Sequence, residues 1–437
     1  MRRRLISGSI GIINTDYPSY FTIEALEDGL QAKLSVNACE YSLDGNIWNS
    51  LSVATNTPAV NTGEKIYFRG NLTPTLSNGI GTFTISKKCN LKGNIMSLLY
   101  GDDFSDKTDL SGKNHAFYEL FYDCTTIVNA SELLLPATTL ATSCYEYMFS
   151  GCTRLTTAPA LPATTLASSC YSAMFSRCTR LTTAPKLPAT TLADACYSAM
   201  FSRCNGLTTA PELPVTTLAT YCYQYMFRDC TSLTTAPKLP ATTLADACYY
   251  NMFYGCTSLV EAPQLLATTL VSMCYSSMFY GCSKLNKITM LATNINAMNH
   301  LYLWVSGVSS TGTFVKHPDM TSLPTGTSGV PSGWTVVDYV ESNLITFIID
   351  GVEYQAEEGM TWGEWVDTPY NTLGLINQEY IDEETGEVFY AAIRNPIIDR
   401  TLGYNYDNTD GTDGFGAQEA YPYEEIRPNW IYFYLKW

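Results

Sequence analysis

Residues 170–195 read CYSAMFSRCTRLTTAPKLPATTLADA, and residues 196–221 begin again with CYSAMFSRC. Aligning the chain on this stretch gives a first cysteine at Cys144, Cys170, Cys196, Cys222, Cys248 and Cys274. A second follows eight residues later each time, at Cys152, Cys178, Cys204, Cys230, Cys256 and Cys282. The period is 26 throughout. An earlier copy, AFYELFYDC, ends at Cys124 and has a loop two residues longer after it, and a degenerate copy begins near NINAMNHLYLW. A fixed period of this length is the signature of a solenoid.

Each copy has a physical reading. CYxxMFxxC spaces Cys, Met and Cys at i, i+4 and i+8, which predicts one face of a short helix, with Tyr and Phe on a neighbouring face. LTTAP alternates like a short strand stopped by proline, and LPATTLA is a second extended piece. One coil cannot bury both of its faces, but stacked coils can. Equivalent side chains then form ladders, Met148 to Met278 and Phe149 to Phe279. The Thr156-Thr157 pair and its equivalents read as a structural ladder too.

The 26-residue pattern, C-Y-x-x-M-F-x-x-C-x-x-L-T-T-A-P-x-L-P, resembles the BspA-like leucine-rich repeats over about residues 115–300. Proteins with such repeats occur on the surface of anaerobic bacteria of the gut and in their phages. The flanks are similar to those proteins as well. EYSLDGNIWNSL, KIYFRGNLTPT, GIGTFTIS and LKGNIMSLLYGDDF resemble their β-rich leader, and GWTVVDYV their usual ending.

The expected architecture is multidomain and mainly β with short helices. Residues 1–19 form an N-terminal arm and 20–112 a β-sandwich leader. Its strands are FTIEAL, QAKLS, CEYSL, KIYFRG and GTFTISK, with turns at Asp44-Gly45 and Asn78-Gly79. Residues 113–338 form a β-α leucine-rich-repeat solenoid with a C-terminal cap. Residues 341–437 form an acidic α+β module, similar to small modules of phage structural proteins. In it LITFIIDGVEYQAEE is a hairpin turning at Asp350-Gly351, and Thr361 to Glu364 has capping-box spacing. VFYAAI and WIYFYLKW are further strands, the latter a buried closing strand or an assembly contact.

The chain has 437 residues, of which 46% are apolar and only 15% charged, against ~25% charged in an average soluble domain. That balance suits β-rich extracellular or virion proteins. Net charge is −16. Residues 341–437 hold 19 acidic and 4 basic side chains, a balance of −15, so the first 340 stand at −1. No basic stripe for a nucleic acid is present, and the acidic end disfavours anionic membranes. No apolar run would span a bilayer. The start, MRRRLISGSIGII, has only a short, weakly apolar stretch and is not expected to act as a secretion signal, and no anchor segment is expected after the repeats.

Fifteen cysteines are an odd number, and twelve belong to the two ladders. Cys144 and Cys152 would lie roughly 12 Å apart along a helix, too far to bridge. The ladders therefore read as buried, reduced thiols. His115, His300 and His317 fall in no metal or triad pattern, and no catalytic motif is present. YDNTDGTDGFG at 406–416 reads as a solvated turn rather than a calcium loop, and IDEETGEV as a hairpin tip. Glycan cleavage needs two acids across a cleft. The acids of the repeats are few: Glu146, Asp194, Glu212, Asp229, Asp246 and Glu261. No cofactor, metal or catalytic residue is expected.

What varies between copies points outward. After Ala-Pro come Lys186, Glu212 and Lys238; after the second cysteine, Arg154 and Arg180; before it, Arg177 and Arg203. Tyr147, Tyr225, Tyr250, Tyr254 and Tyr280 replace smaller residues. These twelve are the candidate binding surface, against plain drift on a spacer. The resemblance then implies a non-enzymatic virion protein of a phage, a head or tail fibre or decoration, attaching to a host glycan or protein. Its expected partners are other virion proteins and further copies of itself, with no nucleic acid and no membrane insertion. The alternative is a bacterial cell-surface adhesin, and a third reading is a glycan-cleaving spike.

Overall fold

The computed structural model describes residues 19–75, 79–320 and 323–340, with the backbone of four strands at 344–349, 352–357, 375–381 and 388–394. Most of the arm, the Thr361–Glu364 capping box, the 406–416 segment and the terminal NWIYFYLKW lie outside the described residues. The chain falls into two compact units, Met1–Tyr339 and Val340–Trp437.

The repeats stack by backbone hydrogen bonds. Tyr145, Tyr147 and Phe149 N–H donate to Cys170, Ser172 and Met174 O of the next coil, at 3.0, 2.9 and 2.9 Å. The residues between them turn inward on their own coil: Glu146, Met148 and Ser150 N–H donate to Ser143, Tyr145 and Tyr147 O. The same alternation recurs from Phe117 to Gly281. CYxxMFxxC is therefore a run of four-residue turns and not the expected helix. The physical reason is that every second N–H is committed to the neighbouring coil, so no i→i−4 ladder can close. Each turn needs one residue at positive φ, such as Ala195, Ala199 and Arg203 at 53°, 53° and 60°. The spacing of four that suggested a helix belongs to these turns.

That backbone is sensitive to side-chain shape. An L residue at positive φ is disfavoured, and a β-branched one most. Ala199→Val is expected to cost about 1–2 kcal/mol by this effect, while Ala199→Gly leaves stability unchanged or raises it; paired thermal melts check the contrast.

In each coil two inward residues alternate with two outward ones. Cys, Tyr, Met, Phe and the second Cys are buried in every full copy. The tyrosines stack from Tyr145 to Tyr275 with centroids 5.6–6.0 Å apart. The phenylalanines stack from Phe121 to Phe279 at 5.2–5.9 Å. On the opposite side the expected LTTAP strand shrinks to single parallel bridges, Asn129 to Thr157, Thr183, Thr209 and Thr235. Proline follows two residues on and has no N–H to extend them.

The leader supplies β1 (Phe21–Ala25), β2 (Ala32–Leu34), β3 (Cys39–Ser42), β4 (Asn49–Leu51), β5 (Lys65–Arg69), β6 (Phe83–Ile85) and β7 (Cys89–Asn94). With β8 (Ile127–Leu134), a strand of the repeat region, they form a six-stranded sheet ordered β4-β3-β5-β1-β7-β8 and a separate β2-β6 pair. β7 and β8 run parallel, so the leader sheet continues into the repeats. Phe83 packs 5.9 Å from Phe121, the first ring of the phenylalanine ladder. The leader thus covers the apolar end of the stack, as terminal repeats require. At Asp44-Gly45 the expected turn is present, with Asp44 Oδ1 accepting from Asn46 and Ile47 N–H at 2.8 Å each.

The other end of the stack is closed by a parallel sheet of β9 (Lys287–Met290), β10 (Thr313–Lys316) and β11 (Thr335–Asp338), ordered β11-β10-β9. Trp304 continues the phenylalanine ladder, 6.1 Å from Phe279, and its Nε1 donates to Gly329 O at 2.9 Å. In the second unit, β12 (Leu344–Ile349) and β13 (Val352–Glu357) pair antiparallel, as do β14 (Leu375–Ile381) and β15 (Val388–Arg394). Asn78, Asp350-Gly351 and residues 382–387 of IDEETGEV, where turns are expected, lie outside the described residues.

Candidate functional site: an arginine and tyrosine trough

The outward pairs of successive coils form steps along the stack. In the central coils they are small: Ser150-Gly151, Ala173, Ser176, Ala199 and Ser202. On either side they are large, with Tyr118, Tyr122 and Tyr147 towards the leader and Tyr225, Arg228, Tyr250 and Tyr254 towards the far end. The result is a shallow trough floored by small residues and walled by aromatic rings. Tyr122, Tyr147, Arg177, Arg203, Tyr225 and Arg228 line it. A second depression adjoins it across Arg177 and Arg203, with Thr153, Thr179, Asn205 and Thr231 along its length.

Arg177 Nη2 donates to Tyr122 Oη and to Asp123 Oδ1, both at 3.0 Å, across the intervening coil. Gly151 makes this possible: a Cβ there would fall 1.9 Å from Asp123 Oδ1. At the other wall Asp229 Oδ2 lies 3.4 Å from Arg203 Nε and 3.5 Å from Arg228 Nε. Arg228 Nε is buried and, despite that approach, donates no hydrogen bond. Its guanidinium sits 4.9 Å from the Tyr254 ring centroid and 5.5 Å from that of Tyr225, within cation–π range. Tyr225 and Tyr250 meet edge to face at 5.3 Å, and Tyr254 and Tyr280 stack at 4.7 Å.

Burial raises the Tyr225 and Tyr147 hydroxyls above their ordinary pKa, and Tyr250 and Glu146 beside them add to it. Burial also raises the Glu146 carboxyl, against hydrogen bonds from Ser143 and Ser172. The neutral phenols can donate hydrogen bonds at any physiological pH.

Of the twelve residues expected at a binding surface, Tyr147, Arg177, Arg203 and Tyr225 line the trough. Tyr250, Tyr254 and Tyr280 extend its far wall. Arg154 and Arg180 are exposed, each next to a threonine of the second depression. Lys186, Glu212 and Lys238 are exposed beyond the prolines and line neither depression. Tyr122, Asp123 and Arg228 are the members that copy-to-copy reading passed over. Their signal was available: Tyr122, Arg228, Tyr254 and Tyr280 all stand two residues before a second cysteine.

The fifteen cysteines are free and buried. The second of each coil has a defined role, since Cys178 Sγ donates to Phe149 O at 3.1 Å and Cys204 to Phe175 O at 3.1 Å. Among the described residues no three His, Cys, Asp or Glu side chains gather to hold a metal, and no helix is long and apolar enough to cross a membrane.

A model of the BspA type leucine rich repeat region matches residues 117–234 and 212–303, in six copies. The repeats are of the BspA type. Repeats of this type are generally non-enzymatic and suggest a surface or recognition protein. No curated protein and no solved structure matches the chain.

Proposed function

We propose that the chain is a non-enzymatic recognition protein whose coils form a solenoid displayed for attachment to a host-surface glycan or protein, and that it is a component of a phage virion. The observation that carries recognition is the division of labour within each coil. Buried positions repeat without change, while outward positions differ and gather Tyr and Arg from five coils into one trough. Solenoids present such surfaces to ligands. The virion setting follows from the resemblance to repeat proteins of phages that infect anaerobes and from a charge-poor, β-rich composition. Other virion proteins and further copies of the chain are its partners in that setting. The acidic residues 341–437 disfavour nucleic acid and anionic membranes as partners.

A bacterial cell-surface adhesin is the second reading, favoured by the BspA-type repeats themselves. Mass spectrometry of gradient-purified particles from a producing culture separates the two. Co-sedimentation with capsid proteins at a fixed copy ratio is expected; recovery confined to membrane and vesicle fractions would replace the virion with the cell surface.

A further inference from the structure

We infer that the second depression, with the trough floor that adjoins it at Arg177 and Arg203, takes a carboxylate-bearing polysaccharide, a linear chain of acidic sugars lying along the stack; this rests on the recognition function proposed above. Three observations on the same surface converge. The first is the placement of arginine. Residues 19–340 contain six arginines, and five of them, Arg154, Arg177, Arg180, Arg203 and Arg228, fall between positions 154 and 228. Only one lysine, Lys186, shares that span. A planar guanidinium pairs with a carboxylate through two parallel hydrogen bonds, which an ammonium cannot do. Asp123 and Asp229 engage three of the five guanidinium groups at the two walls. The three arginines that line the depressions, Arg177, Arg203 and Arg228, outnumber the two carboxylates set against them, in a stretch, 19–340, that holds 18 basic and 21 acidic side chains.

The second observation is the pairing of that charge with aromatic walls. Tyr147 and Tyr225 stand on opposite sides of a floor of serine and alanine, so a ring can lie on the floor between them. Sugar rings present C–H faces that pack on aromatic rings and hydroxyls that meet Ser, Thr and Tyr.

The third is repetition. Thr153, Thr179, Asn205 and Thr231 offer one polar side chain per coil along the second depression. Arg177 and Arg203 occupy equivalent places in adjacent coils. Parallel backbone pairing spaces coils by about 4.8 Å, close to the length of one sugar in an extended chain. A linear polysaccharide can therefore keep register over several coils, engaging the same side-chain types at each. Binding by many weak, repeated contacts rises with chain length.

The test is biolayer interferometry of the full chain on immobilised polygalacturonate, its fully methyl-esterified form and dextran sulfate, with whole host cells in parallel. Expected is binding to polygalacturonate that grows with chain length, falls with salt, and is absent from the neutral ester. R177A/R203A should weaken it by about tenfold or more, and K186A/K238A by no more than about twofold, with unchanged circular dichroism. Equal binding to the ester, or binding to dextran sulfate alone, overturns the carboxylate assignment and leaves recognition standing. So does adhesion to cells with no polygalacturonate binding. Equal losses in the two double variants overturn the trough as the site. Failure on every glycan and on cells overturns both readings.

Discussion

Phe201→Ala will destabilise the repeat region by about 3–5 kcal/mol, the range for removing a fully buried phenylalanine. The ring is 0% exposed and lies between Phe175 at 5.8 Å and Phe227 at 5.9 Å. Both neighbours are held by their own coils, and the backbone of each coil is tied to the next by a hydrogen bond at every second residue. The walls of the cavity therefore cannot collapse into it, and the loss falls at the upper part of the range. Stability in a stack of this kind is approximately a sum of coil and interface contributions. Phe201 belongs to two interfaces at once, so urea melts should show a lower midpoint and a broader transition as the stack divides near its middle. A loss below about 1 kcal/mol would mean that the ladder rings do not pack as drawn.

The ladders and the period were legible because stacking imposes one rule on every coil. A residue buried between coils must suit the copies before and after it, so Met200 and Phe201 are repeated without change. The helix misreading arose from the same regularity. Four-residue turns and a helix both bring i, i+4 and i+8 to one side, and only the backbone distinguishes them. The clue lay in Gly151, Gly255, Gly281 and Gly307, which recur at one position and all have positive φ. Arg177, Arg203 and Asp229 at that position masked it. The pairing of β7 with β8 left no local mark, since it joins segments more than thirty residues apart through backbone groups alone. The trough was half legible: residue types at variable positions could be read from copies. That Arg177 reaches past Gly151 to Asp123 depends on a side chain spanning two coils.

The buried thiols make stability depend steeply on alkaline pH. Burial pushes the thiols of Cys144, Cys196, Cys230, Cys274 and Cys282 up to about 12, and it raises the remaining ladder cysteines in the same direction. In the unfolded chain a thiol ionises near 8.5. Below that pH both states carry the proton, and the stabilisation from burial is fully present. Above it the unfolded chain releases protons that the folded chain retains, so stability falls as pH rises through the window from about 8.5 to 12. Each thiol contributes a slope of at most about 1.4 kcal/mol per pH unit. Twelve acting together exceed the whole stability of an ordinary domain, about 5–15 kcal/mol, within one to two units. The stacked tyrosines Tyr145 to Tyr275 are raised by burial too and steepen the fall above pH 10. Under reducing conditions the protein is expected to unfold cooperatively near pH 10, with the tyrosinate absorbance of the ladder appearing in the same step as the loss of circular dichroism. Retention of the folded spectrum at pH 11.5, or smooth ionisation of the ladder tyrosines ahead of unfolding, would show that water reaches the space between coils and that the thiols are not held as the stack implies.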